Sequence, residues 1–390
     1  MPSRVKPPTD PVPIEHDGER LTAQRGESLA SALLAHDRVL LARSPKLHRP
    51  RGPYCLRGAC DGCLARVDGV PNVMTCLRPV SGGERVETQN VVGVRELDLM
   101  GATDFLFPRG LDHHKLFAGV RGVSALVQRF ARRVAGLGVL PSRAGEVREA
   151  RHEEADVLIV GSGRAACRVA REHETERVVH VDDATVAGGR AALIEPSWRS
   201  DPALARVRTL TTVLSVSREP EPGLWALLLG PEGLTLLRVR EVVLATGRHD
   251  PVLPFENNDL PGTFSARAAL ALVRAGLVLG RRVAVVGSGP LGDALCLTPG
   301  SEWLRVAPET LRGAAGRRRV SAIFTERGGK TERRSVDALV IDGPGAPAFE
   351  LAVQAGGSVV HAPHGFVPQA DSSGRVAPSV RCVGSVVGSD

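Results

Sequence analysis

Four of the seven cysteines stand together as C-x4-C-x2-C-x12-C, in CLRGACDGCLARVDGVPNVMTC. Two irons and two sulfides need four thiolates, and Cys55, Cys60, Cys63 and Cys76 can supply them. Three come from one tight loop, in which Gly58 and Gly62 let the backbone wrap a cluster, and the fourth from a following strand. The leading C-x4-C-x2-C has the plant-type [2Fe–2S] spacing. Structural zinc favours two paired C-x2-C knuckles, and only one such pair is present. Cys167, Cys296 and Cys382 are single, which argues against a disulfide-reductase pair. Cys167 reads as a small buried apolar residue.

Two glycine loops offer a second chemistry. In the first, the apolar run 156–160 leads into Gly161-Ser162-Gly163-Arg164-Ala165-Ala166. Gly161 suits the tight turn, Gly163 lets phosphates approach the backbone, and Ala166 lets a helix pack close. A second strand at 178–181 ends at Asp182, roughly 20 residues on, where a ribose-binding carboxylate belongs. Gly188-Gly189 follows as another flexible loop. The alternative is a dinucleotide-type fold that holds no ligand. The second loop is Gly287-Ser288-Gly289-Pro290-Leu291-Gly292. Its context is poorer. Pro299-Gly300 cuts the following helix short, and the next strand leads to Ala307, not an acid. It either binds NAD(P), with Arg305 toward a 2′-phosphate, or retains the fold with a weakened or absent nicotinamide site.

These motifs need elements to hold them. Around the cysteines, Asp17-Gly18 and Asp68-Gly69 mark turns, 28–36 reads as a short helix burying Leu29, Leu33 and Leu34, and 63–67 and 72–77 read as strands. Strands, one helix and a cysteine loop in this span predict a β-grasp domain over 13–92. Residues 93–150 read as a helical connector. From Asp156 the texture is α/β, with two strand–glycine–helix units. Lys46, His48, Arg49 and Arg51 read as a solvated basic loop, and His113-His114 as packing rather than a metal pair, because adjacent helical side chains diverge.

Composition bounds the function. The chain has 390 residues, 43% hydrophobic, with a formal net charge of +7 that is dispersed rather than blocked. With one Tyr and no basic stripe, a nucleic-acid surface is not expected. The first residues hold no apolar signal segment, and the stretch 268–286 is broken by Arg274, Arg281 and Arg282, so no membrane span is expected and the location is read as cytoplasmic. No Ser-His-Asp, paired-carboxylate or HExxH arrangement stands out, and no catalytic residue is assigned.

SPKLHRPRGPYCLRGACDGCLARVDGVPNVMTC resembles the ferredoxin-like module of the sarcosine oxidase alpha-subunit family, which is related to subunits of hydrogen cyanide synthase and of opine and hydroxyproline dehydrogenases. LFPRGLDHHKLFAG is similar to that family's connector, and VVLATGRHDPVLPFENNDLPGTFSARAAL to the stretch that joins its FAD and NAD-like domains. The resemblance covers nearly the whole chain from Ile14. It implies a glutathione-reductase-like, two-dinucleotide-binding α/β fold behind the [2Fe–2S] module. The FAD-binding domain would comprise 155–262 and 346–390, with an NAD-like domain at 263–345 inserted. By motif match it implies FAD at Gly161, Gly163, Ala166, Asp182, Gly189, Thr246 and Gly247. Gly384 would lie on the flavin side, although Gly384-Ser385 stands where the family has Gly-Asp. It further implies an electron-transfer subunit that pairs with an FAD-containing, substrate-oxidising subunit acting on an amino or imino acid. A self-contained NAD(P)H-dependent ferredoxin-type reductase and a degenerate scaffold that has lost FAD are the other readings.

Overall fold

The computed structural model describes residues 2–44, 47–91, 93–94, 97–98, 149–218 and 223–388. The expected connector at 93–150, apart from its first and last few residues, lies outside them, as do His113, His114 and Lys46. The described residues form two compact units, one of residues up to 98 with Leu253–Asp342, the other of 149 to Val252 with Gly343 onward.

The first unit begins with Pro11–His16, whose alternation turns Val12, Ile14 and His16 inward. Asp17 and Gly18 take positive φ (50° and 84°) and return the chain antiparallel as Glu19–Gln24. Pro11–His16 also pairs in parallel with Arg85–Glu87, and the hairpin Leu64–Val67 and Val70–Met74 completes a five-stranded sheet. The helix Leu29–Ala35 starts where Ser28 Oγ accepts the Ser31 amide. Its Leu29 and Leu33 pack with Val12, Ile14, Val67 and Val86 into the core that also holds Cys63 and Cys76. A mixed sheet with one covering helix is the β-grasp arrangement.

The same unit contains a parallel sheet ordered Thr263–Ser265, Ala338–Ile341, Arg282–Val286, Glu302–Val306. The helices Ala266–Arg274 and Pro290–Cys296 accompany it, and Leu311–Ala315, Ala322–Arg327 and Lys330–Ser335 form an antiparallel sheet. The basic loop before the cysteines departs from expectation here. It is an anchor within the chain rather than a solvated loop. Arg49 donates bidentately to Asp259 (2.8 and 2.7 Å) and to Asn257 Oδ1 (2.9 Å), and His48 is buried. The Ser265 amide donates to the Tyr54 carbonyl (3.1 Å), and the Tyr54 side chain packs on the core of this second half. The residue next to the first cysteine is thereby tied to a strand far away in sequence.

In the second unit, Val178–Val181, Val157–Val160, Glu241–Leu244 and Val380–Cys382 run parallel in that order, and Arg375–Ala377 pairs antiparallel at the edge. All four residues of VLIV are buried, as befits a strand covered on both faces. A second sheet joins Arg151–Glu154, Gly233–Val239, Leu224–Gly230 and Thr212–Ser217. Each unit thus has a parallel sheet in which the strand entering a glycine loop lies centrally. Among the described residues no helix is long and apolar enough to cross a membrane.

Candidate iron–sulfur and dinucleotide sites

The four thiols come together as two pairs, Cys55 with Cys60 and Cys63 with Cys76, each close enough to hydrogen-bond. Cys55, Cys63 and Cys76 are buried, and Cys60 is partly open. Within each pair one thiol accepts charge at the other's expense. Hydrogen bonding from Cys55 draws the Cys60 thiol below the ordinary range, and hydrogen bonding from Cys76 does the same to Cys63. The same bonds, with burial, push Cys55 and Cys76 far above the usual thiol range. Backbone amides point at the sulfurs: Gly58 N at Cys76 Sγ (3.3 Å) and Arg57 N at Cys55 Sγ (3.5 Å). Two ligands at each of two centres is what a two-iron cluster demands, and the donor set fits it.

The glycines of this loop are required by close approach. A Cβ on Gly62 would lie 2.3 Å from the Gly52 carbonyl oxygen. One on Gly58, at φ +75°, would meet Leu77 Cδ1 at 2.7 Å. Thr75, which the sequence reading passed over, is fully buried, and its hydroxyl donates to the Cys63 carbonyl (2.7 Å), fixing the loop to the turn that carries Cys76; the strand expected over 72–77 ends at Met74 and leaves Cys76 in that turn. Only its place beside Cys76 could have pointed to it.

The residues assigned to the first glycine site also converge. Gly161 (φ +101°) lies against Ala245, where a Cβ would come 2.3 Å from the carbonyl oxygen. A Cβ on Gly189 would lie 3.6 Å from the Gly163 backbone. Gly384 packs on Ala165, at the start of the helix Arg164–Glu172, and Gly247 faces Ser385 Oγ. Ala166 is buried beneath the helix, and Thr246 Oγ1 donates to the Ala348 carbonyl (2.7 Å), closing the sheet end. Gly163 caps the helix without a side-chain bond, and a Cβ there would meet nothing within 4 Å. The space at this helix N-terminus is open, as a pyrophosphate requires. Arg164 turns aside to Glu195 and lies over the Trp198 ring, 4.8 Å from its centroid.

Asp182 stands at its strand end, where Ser162 holds it. Ser162 Oγ donates to Asp182 Oδ2 and accepts from the Gly188 amide (2.8 Å), while Asp182 Oδ1 accepts from Ala184 N (2.9 Å). Ser162 is 1% exposed and joins both glycine loops to the acid. The sequence analysis gave it no role. Its removal leaves a buried amide without an acceptor, a cost of about 1–3 kcal/mol. Ser162→Ala should therefore weaken dinucleotide retention by roughly tenfold. Nucleotide released by acid from the purified variant measures this, and wild-type content would contradict it. Below the same turn, His180 Nε2 contacts the Gly161 carbonyl at 2.8 Å, and burial lowers its pKa, so the ring stays neutral and donates there.

The second loop looks different. Gly287, Gly289 and Gly292 stand at the expected strand–helix corner, but Asp342 lies on them, with Gly292 N donating to its Oδ2 at 3.0 Å. Arg305, considered for a 2′-phosphate, is paired with Asp293. Cys167 is buried in the second unit and its thiol is pushed up to about 11 by burial, in keeping with a packing role.

Fold and site together define a class of chain in which a ferredoxin-like cysteine module is joined to paired dinucleotide-binding-type folds. Residues 9–91 match the 2Fe-2S iron-sulfur cluster binding domain. The chain is similar to the sarcosine oxidase subunit alpha of Rhizobium meliloti (strain 1021), at 28% identity over 90% of this chain and 41% of that one. It is also similar to the sarcosine oxidase subunit alpha of Corynebacterium sp. (strain U-96), at 28% identity over 83% of this chain and 33% of that one. The resemblance to the sarcosine oxidase alpha-subunit family thus runs through most of the chain, which spans less than half the length of these relatives. Among solved structures it shares its fold with L-proline dehydrogenase from P. horikoshii, at a TM-score of 0.75 and 21% identity, over 99% of this chain and 71% of that one.

Proposed function

We propose that this chain is the electron-transfer subunit of a heteromeric flavin-dependent dehydrogenase or oxidase of amino or imino acids, with a [2Fe–2S] cluster on Cys55, Cys60, Cys63 and Cys76 and FAD at the first glycine loop. The observation that carries the reading is the gathering of four thiols as two pairs, three of the four buried, in a chain whose first glycine loop leaves open space at a helix N-terminus. Oxidation of an amine to an imine releases two electrons, and a chain joining a two-electron to a one-electron carrier can pass them on singly.

The residues supply placement and charge. The Arg57 and Gly58 amides stabilise negative charge on the sulfurs, and burial keeps water from three of the four. At the first loop, the amides that open the helix Arg164–Glu172 and the carboxylate of Asp182, held by Ser162, match a pyrophosphate and a ribose. FAD is the member of that ligand class that the family resemblance favours. Oxidation of the C–N bond is assigned to a second, FAD-containing subunit. The similarity to sarcosine oxidase alpha subunits supports such a partner.

The test is turnover of N-methyl amino acids, proline and hydroxyproline isomers with an artificial acceptor. The isolated chain, loaded with iron and FAD, should give none, and activity should appear when a substrate-oxidising flavoprotein subunit is added. Brisk turnover by the isolated chain would refute the relay assignment.

A further inference from the structure

The chain builds the same strand–loop–helix corner twice, and one side chain distinguishes the two. In each corner a glycine ends the central strand and presses on the neighbouring strand's next residue. A Cβ on Gly161 would lie 2.3 Å from the Ala245 carbonyl oxygen, and one on Gly287 2.1 Å from that of Asp342. The backbone bonds match as well. Ala245 N donates to Val160 O and Asp342 N to Val286 O, both at 2.8 Å, while Gly161 N donates to Val181 O (2.8 Å) and Gly287 N to Val306 O (3.0 Å). Ala245 and Asp342 are therefore equivalent positions in the two halves.

Their side chains give opposite results. Ala245 presents a methyl group, and the space over Gly163 is open. Asp342 presents a carboxylate, only 8% exposed as a residue, directly over the loop. A Cβ on Gly292 would lie 2.3 Å from Asp342 Oδ2, and one on Gly289 3.1 Å from the same oxygen. That oxygen already takes the Gly292 amide. A pyrophosphate needs both the concavity and the amides around it. The carboxylate takes one of those amides and stands against the loop, and like charges at such range repel strongly in a partly buried setting. The ribose position holds Ala307, and the helix Pro290–Cys296 is short. These residues do not fit the nicotinamide cofactor that the fold implies.

We propose that Asp342 is a built-in anion standing where a nucleotide phosphate would stand, so that this half of the chain takes no NAD(P). Nicotinamide then does not reduce the chain through this loop, and electrons reach it from another source.

Hydrogen–deuterium exchange on the full chain, with its iron and first-site nucleotide retained, tests this with NADH and NADPH at about 1 mM. Exchange at 287–292 should be unchanged by either nucleotide in the wild type. Asp342→Ala copies Ala245 and should acquire protection at 287–292, with NADH bound at least tenfold more tightly than by wild type. Asp342→Asn keeps the bulk and should remain unprotected. Protection of 287–292 in the wild type would overturn the proposal. So would a folded Asp342→Ala, with wild-type iron content and melting temperature, that gains no binding. If Asp342→Ala does not fold, Asp342→Ser is held to the same comparison, and the wild-type measurement stands by itself.

Discussion

Replacing Cys63 with Ser is expected to remove the iron–sulfur absorption of this chain and to drop its iron from about two per chain toward zero. Cys63 is 1% exposed and belongs to the pair with Cys76, so water cannot take its place. Hydrogen bonding from Cys76 lowers its thiol from the ordinary range, which favours the thiolate that iron binds. A serine hydroxyl ionises far less readily and is a harder ligand, poorly matched to iron–sulfur chemistry. Cys167→Ser is the control. That thiol is equally buried and lies outside the cysteine motif, and the iron content should not change. Anaerobic purification with an absorption spectrum and metal analysis decides the matter. Stoichiometric zinc in place of iron, in protein made under iron-replete conditions, would sink the assignment.

The second large effect separates two glycines of one motif. Gly161→Ala should both destabilise the second unit and empty the first dinucleotide site. Gly163→Ala should empty the site and leave stability almost unchanged. At Gly161 the new methyl meets the Ala245 carbonyl oxygen at 2.3 Å, on a backbone with φ +101°, and the two central strands must part. Left-handed strain and overpacking together cost about 2–5 kcal/mol. At Gly163 the methyl meets no protein atom within 4 Å, so the fold is indifferent, but the methyl projects into the concavity that a pyrophosphate would fill. Melting temperature and acid-released nucleotide, measured on both variants, give the two readouts. Gly163→Ala with full nucleotide content would remove the first loop from the binding site. Release of a nucleotide other than FAD would keep the site and reassign its ligand.

Much of this chemistry was legible locally. Loop ligands bind through spacing, and C-x4-C-x2-C needs no distant partner to be recognised. The same holds for the strand 178–181 ending at Asp182 and for Ser28 opening a helix that buries Leu29 and Leu33, because capping and periodicity act within a few residues. The short helix after Gly292 was equally plain, since Pro299-Gly300 follows it closely.

What the tertiary structure alone decided involves side chains meeting across long stretches of sequence. The basic loop at Arg49 looked solvated because its partner Asp259 is 210 residues away. Ser162 drew no role because its bonds run to Asp182 and Gly188, on other elements. The second glycine loop read as an intact motif with a poor setting. The residue that covers it, Asp342, lies 50 residues from Gly292 and reaches it only because the strand Ala338–Ile341 pairs beside Arg282–Val286. A motif records what its own backbone can offer a ligand. Whether another part of the chain has already taken that offer depends on which strands pair, and that is settled by the packing of the whole sheet.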